Sequence, residues 1–211
     1  MLRVGLTGSI AVGKSFVSGL LAEMGCRVVD ADALARRVVE PGAEGLRRVV
    51  EAFGAWVLRP DGTLDRARLG EIVFKDASKR ELLNALLHPL IQDEQDGLMR
   101  LWEGEDPRGV AVVDAALLIE SGGYKRFDKV VVVHCRPEAQ LERLMLRNHL
   151  AREEAERRIA AQMPQREKLR YADFGIDTSE GFEDTRRRTA EVYAALRGLA
   201  DEDAAGRTHG S

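Results

Sequence analysis

Apolar and polar positions follow two patterns along the chain, short apolar runs and longer stretches with helical spacing. Residues 2–7 form the first apolar run and predict a buried strand, and residues 16–24 then place apolar side chains on one helical face. Four further strand candidates follow, at residues 27–29, 110–113, 130–133 and, with a weaker pattern, 174–176. Because these runs alternate with helical stretches, we predict an α/β fold with a mostly parallel five-stranded sheet.

Two long insertions interrupt this alternation. Residues 34–103 are helical in pattern and too numerous for an ordinary crossover, so we predict a helical insert. Residues 141–171 are rich in arginine with interleaved glutamate, which fits either an exposed helix pair or a helical lid that closes over phosphates. The predicted single domain spans residues 1–200, and its core consists of residues 1–33, 104–140 and 172–200. The polar tail, residues 201–211, is expected to be disordered.

Composition narrows the functional classes. The 211 residues are 45% hydrophobic and 32% charged, which suits one globular domain. The net charge of −3 gives no basic field for nucleic acid or an anionic membrane. We find no signal peptide and no membrane-spanning apolar stretch, and therefore expect a cytoplasmic protein. Cys26 and Cys135 lie far apart within apolar runs, which predicts buried, reduced thiols.

The motif with the clearest chemistry is G-x-x-x-x-G-K-[ST], which joins the first strand to the first helix. In that context successive backbone N–H groups and the helix N-terminus converge on an anion. Lys14 can reach the β- and γ-phosphates, and the Ser15 hydroxyl can ligate Mg²⁺. The sequence therefore predicts nucleoside triphosphate binding by Gly8, Ser9, Ile10, Ala11, Val12, Gly13, Lys14, Ser15 and Phe16.

Acidic residues follow two of the other predicted strands. Asp114 ends the run at residues 110–113, where it could hold Mg²⁺ or cap a following helix. Asp30 and Asp32 follow the second strand, and they could orient or deprotonate an acceptor hydroxyl or cap a helix predicted at residues 33–39. Asp30 fits a cap or a residue of the metal shell better, and Asp32 fits a base better. Spacing leaves these alternatives open.

An ordered set of motifs resembles the bacterial dephospho-coenzyme A kinase family over nearly the whole chain. The resemblance implies a P-loop NTPase, nucleoside-monophosphate-kinase-like three-layer α/β/α fold, in which the helical insert binds substrate and residues 141–171 form the lid. The matching segments are residues 8–15, 29–36, 39–42, 61–66, 69–70, 87–91, 114–122, 143–147, 158–163 and 172–177.

This resemblance also implies an activity, transfer of the ATP γ-phosphate to the ribose 3′-hydroxyl of dephospho-CoA, with ATP and Mg²⁺ bound. It implies that Asp32 is the general base and that Arg147, with Arg143, faces the phosphates from the lid. Arg36, Arg66 and His88 fall in motifs of the acceptor side, although His88 before Pro89 also fits a structural histidine. We expect small-molecule partners only, no nucleic acid or membrane, and a monomer or weak homo-oligomer.

The phosphate-binding loop departs from the family pattern G-G-I-G-S-G-K-S-T at four positions. Ser9 is one of these departures; Ala11 and Val12 occupy positions where the backbone N–H does the binding, and we expect them to be tolerated. Phe16 removes a hydroxyl that usually lies near the α-phosphate. Elsewhere, Ala115 and Ala116 occupy a segment in which the family commonly has a proline.

Other functions compete with this interpretation. Another small P-loop kinase, acting on a nucleoside monophosphate or a metabolite, would share the same loop. A GTP-dependent switch would need an Asn-Lys-x-Asp motif, which the sequence lacks. A noncatalytic nucleotide-binding subunit would not require an acid beside the acceptor.

Overall fold

The computed structural model describes residues 1–208, and its regular elements are five strands and nine α-helices. The strands are β1 (Leu2–Gly8), β2 (Arg27–Asp30), β3 (Val110–Asp114), β4 (Lys129–His134) and β5 (Phe174–Asp177). The helices are α1 (Lys14–Glu23), α2 (Ala31–Arg37), α3 (Glu44–Phe53), α4 (Arg66–Lys75), α5 (Ala77–Glu105), α6 (Pro137–Asn148), α7 (Arg152–Ala160), α8 (Gln165–Lys168) and α9 (Phe182–Thr208).

The chain divides into two compact units, which we call the sheet unit (residues 1–30 and 101 onward) and the helical unit (Ala31–Arg100). The sheet unit contains all five strands, in the order β2-β3-β1-β4-β5, and every neighbouring pair is parallel. This arrangement confirms the predicted α/β fold with its five-stranded sheet. The strand order reverses around β1, and in open parallel sheets the ligand crevice lies at that point, beyond the carboxyl ends of the strands.

Apolar side chains cover both faces of the sheet. Alternate residues of β4 enter different clusters, because successive side chains of a strand point to opposite faces. Val131 and Val133 pack with helices α1 and α9, whereas Val130 and Val132 pack with Leu118 and its neighbours. The sheet is therefore covered on both faces, as the three-layer arrangement implied by the resemblance requires.

The helical unit has an apolar core of its own. Its buried members come from α3, α4 and the segments that precede these two helices, and α5 adds partly buried leucines. The unit begins three residues before the predicted insert, and it ends three residues before the insert's end at residue 103. Its buried core residues are Val38, Val39, Leu46, Val49, Phe53, Val57, Leu64 and Leu69.

Two expectations about element ends need correction. The tail predicted to be disordered is helical as far as Thr208, while residues 209–211 lie outside the described part. Ala200 is buried immediately before residue 201 and anchors the helix there. Ala204 and Ala205, within the predicted tail, have high helix propensity. Helix α2 begins at Ala31 and not at residue 33, so Asp32 lies in its first turn and does not precede it.

Two further expectations from the sequence concern membrane-spanning helices and the state of the two cysteines. Within residues 1–208, no helix is both long and apolar enough to cross a bilayer. Cys26 and Cys135 are both free and buried, as predicted. Burial raises the pKa of the Cys26 thiol to about 12 and also raises the pKa of Cys135, so both remain protonated at neutral pH.

Candidate nucleotide-binding site

The phosphate-binding loop connects the end of β1 to the start of α1, the context that its motif requires. Gly8 is needed for a close approach, since a Cβ there would lie 2.6 Å from the Val133 carbonyl oxygen. Gly13 has a φ of 88°, and Ala11 has a φ of 61°, in the left-handed region. That conformation costs a residue with a Cβ about 1–2 kcal/mol, a cost that the glycine of the family pattern avoids at this position.

Lys14 and Asp114 form an ion pair at the carboxyl ends of the central strands. Asp114 is the last residue of β3, opposite Leu6 of β1, and its side chain is only 8% exposed. No α-helix begins in residues 115–122, so the capping role considered for Asp114 is wrong. The acid instead lies beside the lysine of the phosphate-binding loop.

The oxygen atoms of Asp114 and Ser15, at the carboxyl ends of the central strands, are suitable ligands for Mg²⁺. Mg²⁺ prefers oxygen ligands, and proteins usually hold it with one or two side chains while phosphates and water complete the shell. The carboxylate of Asp114 and the exposed hydroxyl of Ser15 are donors of that kind. Among residues 1–208 there is no group of three or more His, Cys, Asp or Glu side chains that could hold a metal ion.

Phe16 packs edge-to-face against Phe182 at the start of α9, with ring centroids 5.0 Å apart and an interplanar angle of 73°. The aromatic pair therefore replaces the hydroxyl that related loops place at this position. Edge-to-face pairs contribute about 0.5–1.5 kcal/mol beyond the burial of their area. Phe16 thus joins the helix that follows the loop to α9.

The two candidate arginines of the lid lie on one face of α6, four residues apart. Arg143 is half-buried and donates to the Thr178 hydroxyl at 2.9 Å and to the Thr178 carbonyl at 2.7 Å. Thr178 in turn donates to the Val12 carbonyl at 2.8 Å, so Arg143 is linked to the phosphate-binding loop through one residue. Arg147 is exposed and donates to the neighbouring Asn148 side chain.

The residues implied for the acceptor belong to the helical unit. Asp32 and Arg36 are exposed on α2, and Arg66 is the first residue of α4 and also exposed. His88 lies in α5 immediately before Pro89, and its exposed ring disfavours the structural role considered for it. All four side chains are accessible to a substrate.

A buried lysine near the site was not recognised from the sequence. The Lys168 side chain is 1% exposed, and its Nζ lies 2.8 Å from a Glu120 carboxylate oxygen and 3.0 Å from the Ala116 carbonyl oxygen. The hydroxyl of Thr7 donates to the same carbonyl at 3.2 Å. These contacts fix the backbone two residues after Asp114. The local sequence gave no signal, because Lys168 follows several charged residues typical of a solvated helix.

The described geometry defines the class of protein. A phosphate-binding loop follows the central strand of a five-stranded parallel sheet, with lysine, serine and a strand-end aspartate at that edge. This combination is typical of P-loop kinases. The loop motif predicted from the sequence and the strand order observed in the structure agree on that class.

Comparison with known proteins identifies the family. The family model described as dephospho-CoA kinase matches residues 2–184. A dephospho-CoA kinase of Listeria monocytogenes serotype 4b is 49% identical over 187 residues, covering 88% of this chain and 92% of the relative. A dephospho-CoA kinase of Streptomyces avermitilis is 45% identical, covering 93% and 94% of the two chains. The solved structure of dephospho-CoA kinase from Campylobacter jejuni superimposes with a TM-score of 0.70 at 29% identity, covering 93% and 97%. The chain belongs to the dephospho-CoA kinase family.

Proposed function

We propose that this chain transfers the γ-phosphate of ATP to the ribose 3′-hydroxyl of dephospho-CoA, yielding ADP and coenzyme A in the last step of coenzyme A biosynthesis. The observation that carries the proposal is a complete phosphate-binding loop, paired with Asp114, in a chain of this family. The reaction is a phosphotransfer to an alcohol acceptor.

The donor side of the reaction is assigned to the sheet unit. Backbone N–H groups of the phosphate-binding loop and the N-terminus of α1 hold the phosphates, except the N–H of Ile10, which donates to Gln162. Lys14 balances charge on the β- and γ-phosphates, and Arg143 and Arg147 add positive charge from α6. Ser15 and Asp114 would hold Mg²⁺. Bound there, Mg²⁺ would supply positive charge that offsets the charge of the phosphates.

The acceptor side is assigned to four residues of the helical unit. Asp32 accepts the proton of the 3′-hydroxyl as that oxygen bonds to the γ-phosphorus, and the bond from phosphorus to the β,γ-bridging oxygen breaks to release ADP. Arg36, Arg66 and His88 bind the acceptor, where two arginines suit the phosphate groups of dephospho-CoA. Their exposure in the described structure is compatible with this role.

The location and assembly of the chain belong to the same proposal. A cytoplasmic location is supported by two free, buried thiols, which suit a reducing compartment. The net charge of −3 supports small-molecule partners in preference to nucleic acid. We propose a monomer or weak homo-oligomer, which sedimentation at several protein concentrations would measure.

An assay with several candidate acceptors tests the proposed activity. ADP release is measured with ATP and Mg²⁺ and with dephospho-CoA, AMP, CMP or shikimate as the acceptor. We expect kcat/KM to be highest for dephospho-CoA, and the Lys14→Met variant, prepared identically, controls for contaminating kinases. Equal or faster turnover with another acceptor would assign the chain to a different small P-loop kinase.

A further inference from the structure

Both backbone polar groups of Ile10, in the phosphate-binding loop, bond to glutamine side chains. The N–H of Ile10 donates to Gln162 Oε1 at 2.7 Å. The carbonyl of Ile10 accepts from Gln140 Nε2 at 2.8 Å. The Ile10 peptide groups are therefore held from two sides, by a residue of α6 and by a residue between α7 and α8.

The bond to the carbonyl belongs to a longer chain of amides. The N–H of Cys135 donates to Gln165 Oε1 at 2.8 Å, and Gln165 Nε2 donates to Gln140 Oε1 at 2.7 Å. A backbone N–H can only donate and a carbonyl oxygen can only accept, so the two ends fix the direction of the chain. Each of Gln140 and Gln165 must accept at one end and donate at the other.

Burial shows that this chain is part of the packed interior. Gln140 is 2% exposed and lies on the same buried face of α6 as Leu144, four residues further on. A polar side chain at such a position is costly unless it is hydrogen-bonded, and an apolar residue would serve packing alone. The buried face of α6 is thus interrupted by an amide at the place where it meets the loop.

A second contact supports the same connection. Ser9, which stands where related loops usually have glycine, is 6% exposed and donates through its hydroxyl to the Met163 carbonyl at 3.4 Å. Two adjacent loop residues are therefore bonded to Gln162 and Met163. Those two residues belong to a motif to which the sequence assigned no role.

We propose that Gln140, Gln162 and Gln165 are positioning residues of the nucleotide site, which act through Ile10 to hold the phosphate-binding loop in its nucleotide-ready shape. They do not touch the nucleotide themselves. The inference rests on the proposed function only in taking this loop as the ATP site. It predicts that nucleotide affinity depends on an amide, or another group with one donor and one acceptor, at Gln140.

The test compares Gln140→Glu with Gln140→Met by calorimetric titration of ADP from pH 5.5 to 8.5, each value divided by that of the wild type. In Gln140→Glu, the protonated carboxyl group donates one O–H to the Ile10 carbonyl and accepts from Gln165, whereas the carboxylate repels that carbonyl. Burial favours the neutral acid, and Arg143, three residues along α6, favours the carboxylate. Dividing by the wild type removes the titration of ADP itself.

We expect the relative ADP affinity of Gln140→Glu to fall about fivefold as pH rises, the change for loss of one hydrogen bond of about 1 kcal/mol. Gln140→Met should bind about fivefold more weakly at every pH. Gln165→Glu should follow the same trend, since its carboxylate still accepts from Cys135 but no longer donates to Gln140. Gln92→Glu, at an exposed position of α5, is the control and should show no trend.

Two further results keep the inference testable if Gln140→Glu does not fold. Gln162→Met removes the acceptor of the Ile10 N–H at a partly exposed position, so it should fold and lose ADP affinity. Variants that melt at lower temperature yet bind ADP within twofold of the wild type at every pH would overturn the inference and leave the proposed function intact. A wild type that binds no ADP would overturn both.

Discussion

The candidate residues of the two units differ in how they are held. In the sheet unit, Lys14 is paired with Asp114 and Ile10 is bonded through both of its backbone groups. In the helical unit, Asp32, Arg36 and His88 are exposed residues of helices. Lys14 and Ile10 of the proposed donor side are thus fixed by contacts within their own unit, whereas the proposed acceptor residues present accessible side chains.

This difference matches what each side is proposed to bind. Phosphates need several donors at fixed positions, and a misplacement of about 1 Å can cost roughly a hundredfold in rate. A loop held by buried amides and an ion pair meets that need before the ligand arrives. Long exposed side chains can instead adapt to a large, flexible acceptor, and they lose conformational entropy when it binds.

The largest expected effect concerns the proposed base of the helical unit. Asp32→Asn keeps the size of the side chain but cannot accept the proton of the hydroxyl. We expect kcat to fall about 10²–10⁴-fold while the KM for ATP changes little, because general-base catalysis contributes that range and the donor side is untouched. Steady-state kinetics with the concentrations of both substrates varied measures the effects on kcat and on the KM for ATP separately. Full activity of Asp32→Asn would remove Asp32 from the chemistry.

A smaller effect is expected from the buried ion pair of Lys168 with Glu120 in the sheet unit. Lys168→Met removes the hydrogen bonds to Ala116 and Glu120, and we expect the free energy of unfolding to fall by about 1.5–3 kcal/mol. The comparison is Arg37→Met in the helical unit, where the partner Glu94 and the arginine are both about half exposed. That exposed pair should contribute less than about 1 kcal/mol.

Urea denaturation of both variants measures the difference. If the loss in Arg37→Met equals or exceeds the loss in Lys168→Met, the buried pair is not the stronger contact. The contrast between a fixed sheet unit and an adaptable helical unit would then lose one of its supports.

The smallest effect concerns pH. Burial lowers the pKa of His134, the last residue of β4, and Arg188 lowers it further, while Asp177 opposes the shift. The pKa of His134 is therefore lower in the folded state than in the unfolded state, so the unfolded state binds more protons as pH falls. The free energy of unfolding accordingly decreases as pH falls below about 6.5. Burial raises the pKa of Asp177, but Ser179 and the charges of His134 and Arg188 lower it overall, so its contribution is lost only at lower pH.

We therefore expect stability to fall between about pH 7 and 5, and His134→Gln to flatten that decline. His88→Gln in the helical unit is the matched control, since its ring is exposed in the folded chain. Urea unfolding at each pH measures both. An equal change of slope in the two variants would contradict the assignment to His134.

Much of the fold could be predicted from the apolar pattern. All five strands lie within one or two residues of their predicted ends, because each is a short apolar run between polar segments. The loop motif likewise predicted the connection from β1 to α1, since this motif lies between a strand and a helix. The start of α2 and the helical end of α9 were missed, because helix ends depend on capping and packing more than on periodicity.

The contacts behind the loop could not be predicted in the same way. Gln140 and Lys168 are polar residues in charged helical segments, where sequence patterns predict exposure. Their burial depends on which elements pack together, and that depends on the sheet order. The left-handed φ of Ala11 is also a product of the loop's tertiary setting, since alanine itself disfavours it.

The central claim, a division between donor residues of the sheet unit and acceptor residues of the helical unit, has one direct test. Calorimetry would measure ADP and dephospho-CoA binding separately in Lys14→Met and Arg36→Met. We predict that Lys14→Met loses ADP affinity and keeps that for dephospho-CoA, whereas Arg36→Met does the reverse. Equal losses for both ligands in each variant, or the opposite pattern, would contradict the division.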